Sequence, residues 1–233
     1  IGLRATAALV LPGLLMALAL WFYPGDFLQR KAPAGTGPST GEGGGSAPSA
    51  WFPITLVCLI VMFRAWVYMT FLTYLPIFLQ GQGVELKRAG LMLTAFLAGG
   101  AAAGLYGGHL SDRIGRKKVI IVSMLIYPVL GSLMILSSEP WLWLFAAASG
   151  AALLASFSVT VVLAQELMPQ NLGLASGLIL GLGFGTGGLG VAVSGWIADS
   201  IGLYRTIWIM ALVPVICALL AAFVKTPRRV AEG

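Results

Sequence analysis

Charge is the scarcest ingredient of this chain. Only 9% of its 233 residues are charged, where soluble globular domains carry about 25%, so a water-soluble fold is excluded. Histidine occurs once, at His109, and cysteine twice, at Cys58 and Cys217, both inside apolar runs. Neither a disulfide framework nor a CxxC metal site can be built from them. Motifs of the HExxH and GxSxG type are absent, as is any pair of carboxylates within an apolar run, so no enzyme, metal or cofactor is expected. Gly183, Gly185 and Gly188 do spell GxGxxG. The dinucleotide reading fails, because no strand or βαβ unit surrounds them.

What the chain has in excess is apolar length. The apolar set makes up 58% of the residues. Seven runs are long enough to cross ~30 Å of hydrocarbon as helix, which takes roughly 20 residues: 5–22, 53–80, 89–107, 118–137, 141–164, 173–197 and 206–224. Helices satisfy every backbone polar group internally, so the expected class is an all-α polytopic membrane protein. The first run follows Arg4 but ends Trp-Phe-Tyr-Pro instead of in a small-residue cleavage site, and is read as a retained span, residues 1–23. Residues 33–50 are almost entirely Gly, Ala, Pro, Ser and Thr, which makes 24–50 a flexible linker. A bundle over 51–225 and a tail over 226–233 follow. The first residue is Ile1, which suggests a piece of a longer chain.

The formal charge of +6 reads as topology, with no nucleic-acid partner expected. If the first span ends in the cytoplasm, the segments on that side hold Arg30, Lys31, Arg113, Arg116, Lys117, Lys118, Lys225, Arg228 and Arg229. The other side holds only Arg4, Lys87, Arg88 and Arg205. The positive-inside rule therefore puts the linker, the loop 108–118 and the C-terminus in the cytoplasm.

The last six spans form two triplets, 53–137 and 141–224, with connections so short that successive helices are expected to be antiparallel neighbours. A sequence echo links them: Gly108-His-Leu-Ser-Asp112-Arg-Ile-Gly115 follows the second run of one, and Gly195-Trp-Ile-Ala-Asp199-Ser-Ile-Gly202 the second run of the other. An odd number of spans separates the copies, so they lie on opposite sides. Such inverted repeats are characteristic of secondary transporters.

The first copy continues into Arg116-Lys-Lys-Val119. It resembles the G-x-L-[AS]-D-R-x-G-R-[RK] loop motif of the major facilitator superfamily, found there between the second and third and between the eighth and ninth of twelve helices. The resemblance implies a helix bundle of two inverted three-helix repeats plus one preceding helix, the sixth, with an N-terminal half upstream of Ile1 as partner. It also implies a conformational latch at Gly108, Asp112, Arg113, Gly115 and Arg116, in which Asp112 accepts from Arg113 or Arg116. A plain positive-inside anchor is the other reading.

A second stretch, Gln165-Glu166-Leu-Met-Pro169 leading into Gly173-Leu-Ala-Ser-Gly177 and the glycines up to Gly190, is similar to the bacterial fosmidomycin resistance proteins of that superfamily. The likeness runs from about 60 to 225. It implies proton-coupled antiport, drug efflux and a place in the bacterial inner membrane. Gly173, Gly177, Gly181 and Gly185 recur every fourth residue and form one bare stripe, suited to tight helix packing or to rocking between states.

Arg64 lies about 15 Å into its run, near mid-bilayer. An intramembrane cation is costly unless it faces a polar cavity. Tyr68 is one turn on, with Trp66 and Tyr74 further round, so these four are candidate contacts for an anionic, partly apolar small molecule. A structural ion pair with a carboxylate of the N-terminal half is the alternative. Glu85, Asp112, Glu166 and Asp199 are all remote from span midpoints, so a proton carrier is expected elsewhere. Export of a small drug-like or metabolite solute across the bilayer is the leading expectation. An importer of organic anions or sugars and a transport-inactive membrane scaffold remain as alternatives.

Overall fold

A computed structural model describes residues 51–224, all in helices or the short turns between them. The expected first span, the linker and the tail lie outside the described residues. Seven helices follow in order: α1 (Trp51–Gly81), α2 (Leu86–Ile114), α3 (Arg116–Leu136), α4 (Trp141–Leu167), α5 (Leu172–Ile201), α6 (Leu203–Leu212) and α7 (Pro214–Phe223). The last two make one span broken at Pro214, whose ring removes a backbone donor and crowds the preceding turn. Six spans in the described residues are thus long and apolar enough to cross a membrane.

The expected runs match these spans, but two boundaries change. The loop expected over 108–118 is helical through Ile114, and Gly115 alone breaks the chain. Its φ of 97° is open to glycine at little cost and strains other residues. At 29 residues, α2 is about 43 Å long, so it outruns the hydrocarbon and carries the polar motif at its protruding end. The last span begins at Leu203, three residues before its apolar run. The two echoed motifs adopt one geometry: Gly202, with φ 91° and ψ 147°, joins α5 to α6 as Gly115, with φ 97° and ψ 136°, joins α2 to α3.

Within each triplet, short connections do not make chain neighbours the main packing partners. The most extensive contact, α2 on α4, joins the triplets, as do those of the chain neighbours α3 and α4 and of α1 on α5. In the α2–α4 and α1–α5 pairs the second helix of one triplet meets the first helix of the other, which is two-fold pairing. The cause is the distribution of small residues. A Cβ on Gly99, Gly107 or Gly150 would overlap the backbone of Ala147, Ala155 or Phe96 respectively, so α2 and α4 approach to backbone contact. Ser158 of α4 donates to the Gly104 carbonyl across the same seam at 2.9 Å. Away from these seams, Phe71 of α1 stacks on Phe96 of α2 at 6.2 Å and meets Tyr127 of α3 edge-on at 5.8 Å.

Large apolar side chains cover the outside, as a lipid-facing surface requires. Trp141, Trp196 and Tyr204 stand exposed at the helix ends on one side of the bundle, where amphipathic rings suit the headgroup level. Buried hydroxyls bond back to their own helix: Ser149 donates to the Ala146 carbonyl at 3.0 Å and Thr206 to that of Gly202 at 3.0 Å. With no water in hydrocarbon, such bonds are their ready alternative to an unsatisfied group. The least buried spans are α2 and α5.

Candidate functional site

Arg64 sits thirteen residues into the 31-residue α1 and is only 2% exposed. Its guanidinium carbon lies 4.9 Å from the centre of the Phe157 ring of α4, within cation–π range. Its Nε–H is buried without a hydrogen-bond partner. No carboxylate among the described residues lies within ion-pair distance of it. A cavity of about 190 Å³ opens beside the guanidinium, lined by Arg64 and Tyr68 from α1, Leu154 and Phe157 from α4, and Ile179 and Phe184 from α5, among others. The site therefore lies between α1, α4 and α5, and apart from Arg64 its walls are largely apolar. Such a chamber can hold a small anion by charge and its body by dispersion.

Only two of the four residues expected at this site line it. Arg64 and Tyr68, one turn apart, share the cavity face. Trp66 and Tyr74 do not, because they lie on the face of α1 that packs on α5. Trp66 Nε1 donates to Ser194 Oγ at 2.8 Å, and the Thr70 and Ser194 hydroxyls share a hydrogen bond of 2.8 Å. The Tyr74 hydroxyl donates to the Val191 carbonyl at 3.4 Å. Gly190 makes room for the Trp66 indole and Gly195 for the Tyr74 phenol. The Gly173, Gly177, Gly181 and Gly185 stripe faces away from this seam. A Cβ added to any of the four meets nothing within 4 Å, so among the described residues they pack on nothing, and Gly187, Gly190 and Gly195 provide the close approach instead.

At the far end of α2, Arg116 gathers two carboxylates. Its Nη2 is 3.4 Å from Asp112 Oδ1, across the Gly115 break, and its Nε is 2.8 Å from Glu166 Oε2 at the end of α4. The Nε–H is not aimed along that line, so the short contact is an ion pair without a hydrogen bond through this atom. The Arg116 side chain is 12% exposed, but those of Asp112 and Glu166 are 54% and 38% exposed, so solvent still screens both pairs. Lys117 donates to the Ala222 carbonyl at 2.6 Å, tying α3 to the last span. Of the five residues expected in the latch, Asp112, Gly115 and Arg116 come together, while Arg113 points to solvent. Gly108 has no close neighbour, and Gly107 makes the tight approach to Ala155.

Sequence reasoning missed Glu166 and Phe157 as parts of these sites. Glu166 was discoverable as the one carboxylate ending the apolar run of α4, on the side of the membrane where the basic loop 108–118 is expected. Phe157 carried no such signal, being one aromatic residue in a long apolar helix.

Residues 57–233 match the Major Facilitator Superfamily. The Fosmidomycin resistance protein of Escherichia coli (strain K12) is 36% identical over 162 residues, covering 69% of this chain and 40% of that protein. An uncharacterized MFS-type transporter, YfnC, of Bacillus subtilis (strain 168) is 36% identical over 149 residues, or 64% of this chain and 36% of its own. A gallate transporter of Pseudomonas putida is 28% identical over 167 residues, covering 70% and 37%. The chain thus spans 40% or less of the length of these three relatives.

Proposed function

Because the chain belongs to the Major Facilitator Superfamily, whose members are transporters rather than enzymes, we propose that it forms the C-terminal six-helix half, with one preceding helix, of a bacterial inner-membrane exporter of a small solute. The observation that carries transport is Arg64, 2% exposed, at the wall of a cavity and with no carboxylate within ion-pair distance among the described residues. A cation kept at mid-membrane depth against a large desolvation cost marks a solute path. Export and drug resistance are supported by the name of the Escherichia coli relative. The gallate transporter favours a second reading, an organic acid as the substrate with the direction unassigned. Proton coupling belongs to the same proposal, with its carrier outside residues 51–224, since Glu85, Asp112, Glu139, Glu166 and Asp199 all lie at helix ends or in turns.

In this reading the Asp112, Arg116 and Glu166 network is a latch on the cytoplasmic side, and the C-terminus lies on that side. The network fastens the joint between α2 and α3 to the end of α4. Releasing it lets those helix ends part. The open stripe of Gly173 to Gly185 packs against a part of the transporter outside the described residues.

The complete gene product, expressed in fosmidomycin-sensitive cells, is expected to raise the concentration of drug that stops growth. Everted vesicles should take up the drug in a protonophore-sensitive way. Unchanged sensitivity with the protein verified in the membrane would overturn the drug-export reading. Asp112→Asn and Glu166→Gln should each lower transport while leaving insertion intact. Their side chains are 54% and 38% exposed, so each removes an interaction of about 1 kcal/mol or less, enough to shift a balanced two-state equilibrium by up to about fivefold. Normal export by both variants would leave the positive-inside anchor as the role of this loop.

A further inference from the structure

The Arg64 chamber carries more information than the presence of a cation. Phe157 covers one face of the guanidinium at 4.9 Å, and Arg64 itself borders the chamber, so a ligand there is left the part of the group that the ring does not cover. A guanidinium pairs through its N–H donors with two oxygens of one anionic group. Among the described residues no second cation lines the chamber, and Arg64 is 2% exposed, so a second negative charge brought beside it would be buried without compensation from them. A cationic ligand would meet Arg64 as a like charge. The remaining walls, including Leu154, Ile179, Leu180 and Phe184, offer dispersion contacts and no dense set of hydrogen-bond donors for a sugar.

We propose that this chamber is a monoanion site, taking an organic acid that bears one carboxylate or one singly ionised phosphonate on a compact apolar body, and that Phe157 is its specificity-determining residue. Resting on the transporter reading above, the proposal gives Phe157 two tasks. The ring's negative face partly offsets the guanidinium charge when no anion is bound. By occupying that face, it also holds the Arg64 side chain at the wall of the chamber. A sequence alone pairs Arg64 with nothing on α4, and no carboxylate is needed to keep the side chain in place.

The test is ligand-induced thermal stabilisation of the purified complete gene product at pH 6, with benzoate and propylphosphonate as monoanions, phthalate as a dianion and benzylammonium as a cation. Benzoate and propylphosphonate should stabilise, and their relative strengths identify which anionic group is preferred. Phthalate and benzylammonium should be at least about tenfold weaker. Arg64→Gln should weaken benzoate about tenfold to hundredfold. Phe157→Leu should weaken it about threefold to tenfold and narrow the preference for benzoate over phthalate, while the unliganded melting temperature stays close to that of the parent. Equal binding of phthalate or benzylammonium, benzoate binding that ignores Arg64→Gln, or discrimination that ignores Phe157→Leu would each overturn the proposal. The outcome is separable from the export reading. Cells that gain fosmidomycin tolerance through a protein that binds neither monoanion would retain the exporter and lose the monoanion site. Arg64-dependent benzoate binding without drug tolerance would do the reverse.

Discussion

The α2–α4 seam and the α1–α5 seam occupy equivalent places in the two-fold bundle, yet they are built from opposite materials. The first is a backbone contact, in which Gly99, Gly107 and Gly150 face the main chain of Ala147, Ala155 and Phe96. Ion pairs flank it: Arg88 of α2 meets Glu139 in the turn before α4 at 3.0 Å, and Arg116 of α3 lies between Asp112 of α2 at 3.4 Å and Glu166 of α4 at 2.8 Å. The second is a side-chain contact, in which Met69, Trp66 and Tyr74 of α1 fill the room left by Gly187, Gly190 and Gly195 of α5. Hydrogen bonds through Ser194 hold it. Backbone atoms cannot step aside and side chains can. The difference therefore assigns rigidity to the α2–α4 pair and adaptability to the α1–α5 pair, which supplies the cavity's Arg64, Tyr68 and Phe184.

The hardest test of that contrast compares two alanine substitutions. Gly150→Ala puts a Cβ into the Phe96 carbonyl, and should lower stability by about 3 kcal/mol or more, read as a large fall in the melting temperature of the detergent-purified protein. Gly195→Ala meets the hydroxyl end of the Tyr74 side chain, which can shift, and should cost about 1–2 kcal/mol. Equal losses would break the distinction between the seams. A smaller effect is expected at Ser194, whose hydroxyl bonds both Trp66 and Thr70. Ser194→Ala should cost about 1–2 kcal/mol and change solute binding more than the α2–α4 substitutions that still fold, because Trp66 lies two residues from Arg64. The smallest effect belongs to Gly177→Ala on the open stripe. Helix propensity alone favours Ala by up to about 1 kcal/mol, so residues 51–224 predict a melting temperature that holds or rises. A fall in the complete gene product would show that the stripe is in close contact with a part beyond them.

The six spans within 51–224 and the all-α class were legible from the sequence because hydrocarbon thickness imposes one length on every run and leaves few polar residues inside. The echo around Asp112 and Asp199 was legible for a similar reason, since a positive-φ joint tolerates little but glycine. Packing partners were not legible. Chain proximity pointed to successive helices, whereas the fit of Gly150 against Phe96 joins residues that no local pattern connects. The same blindness placed Trp66 and Tyr74 in the cavity, because periodicity identifies faces but not the helix each face meets. Arg64 was visible through its cost in a bilayer. Phe157, an apolar residue at no apparent cost, was not.

The paired joints at Gly115 and Gly202 carry a consequence for how the chain can vary. Both hold nearly the same backbone angles, in a region where a side chain would be strained by about 1–3 kcal/mol. Only the first is followed directly by a cation, Arg116, and Leu203 stands in the corresponding place of the second. In a library of random variants, position 203 should accept many residues and position 116 few, while 115 and 202 should be equally intolerant. The geometry of the joint is thus inherited twice, and its charge only once.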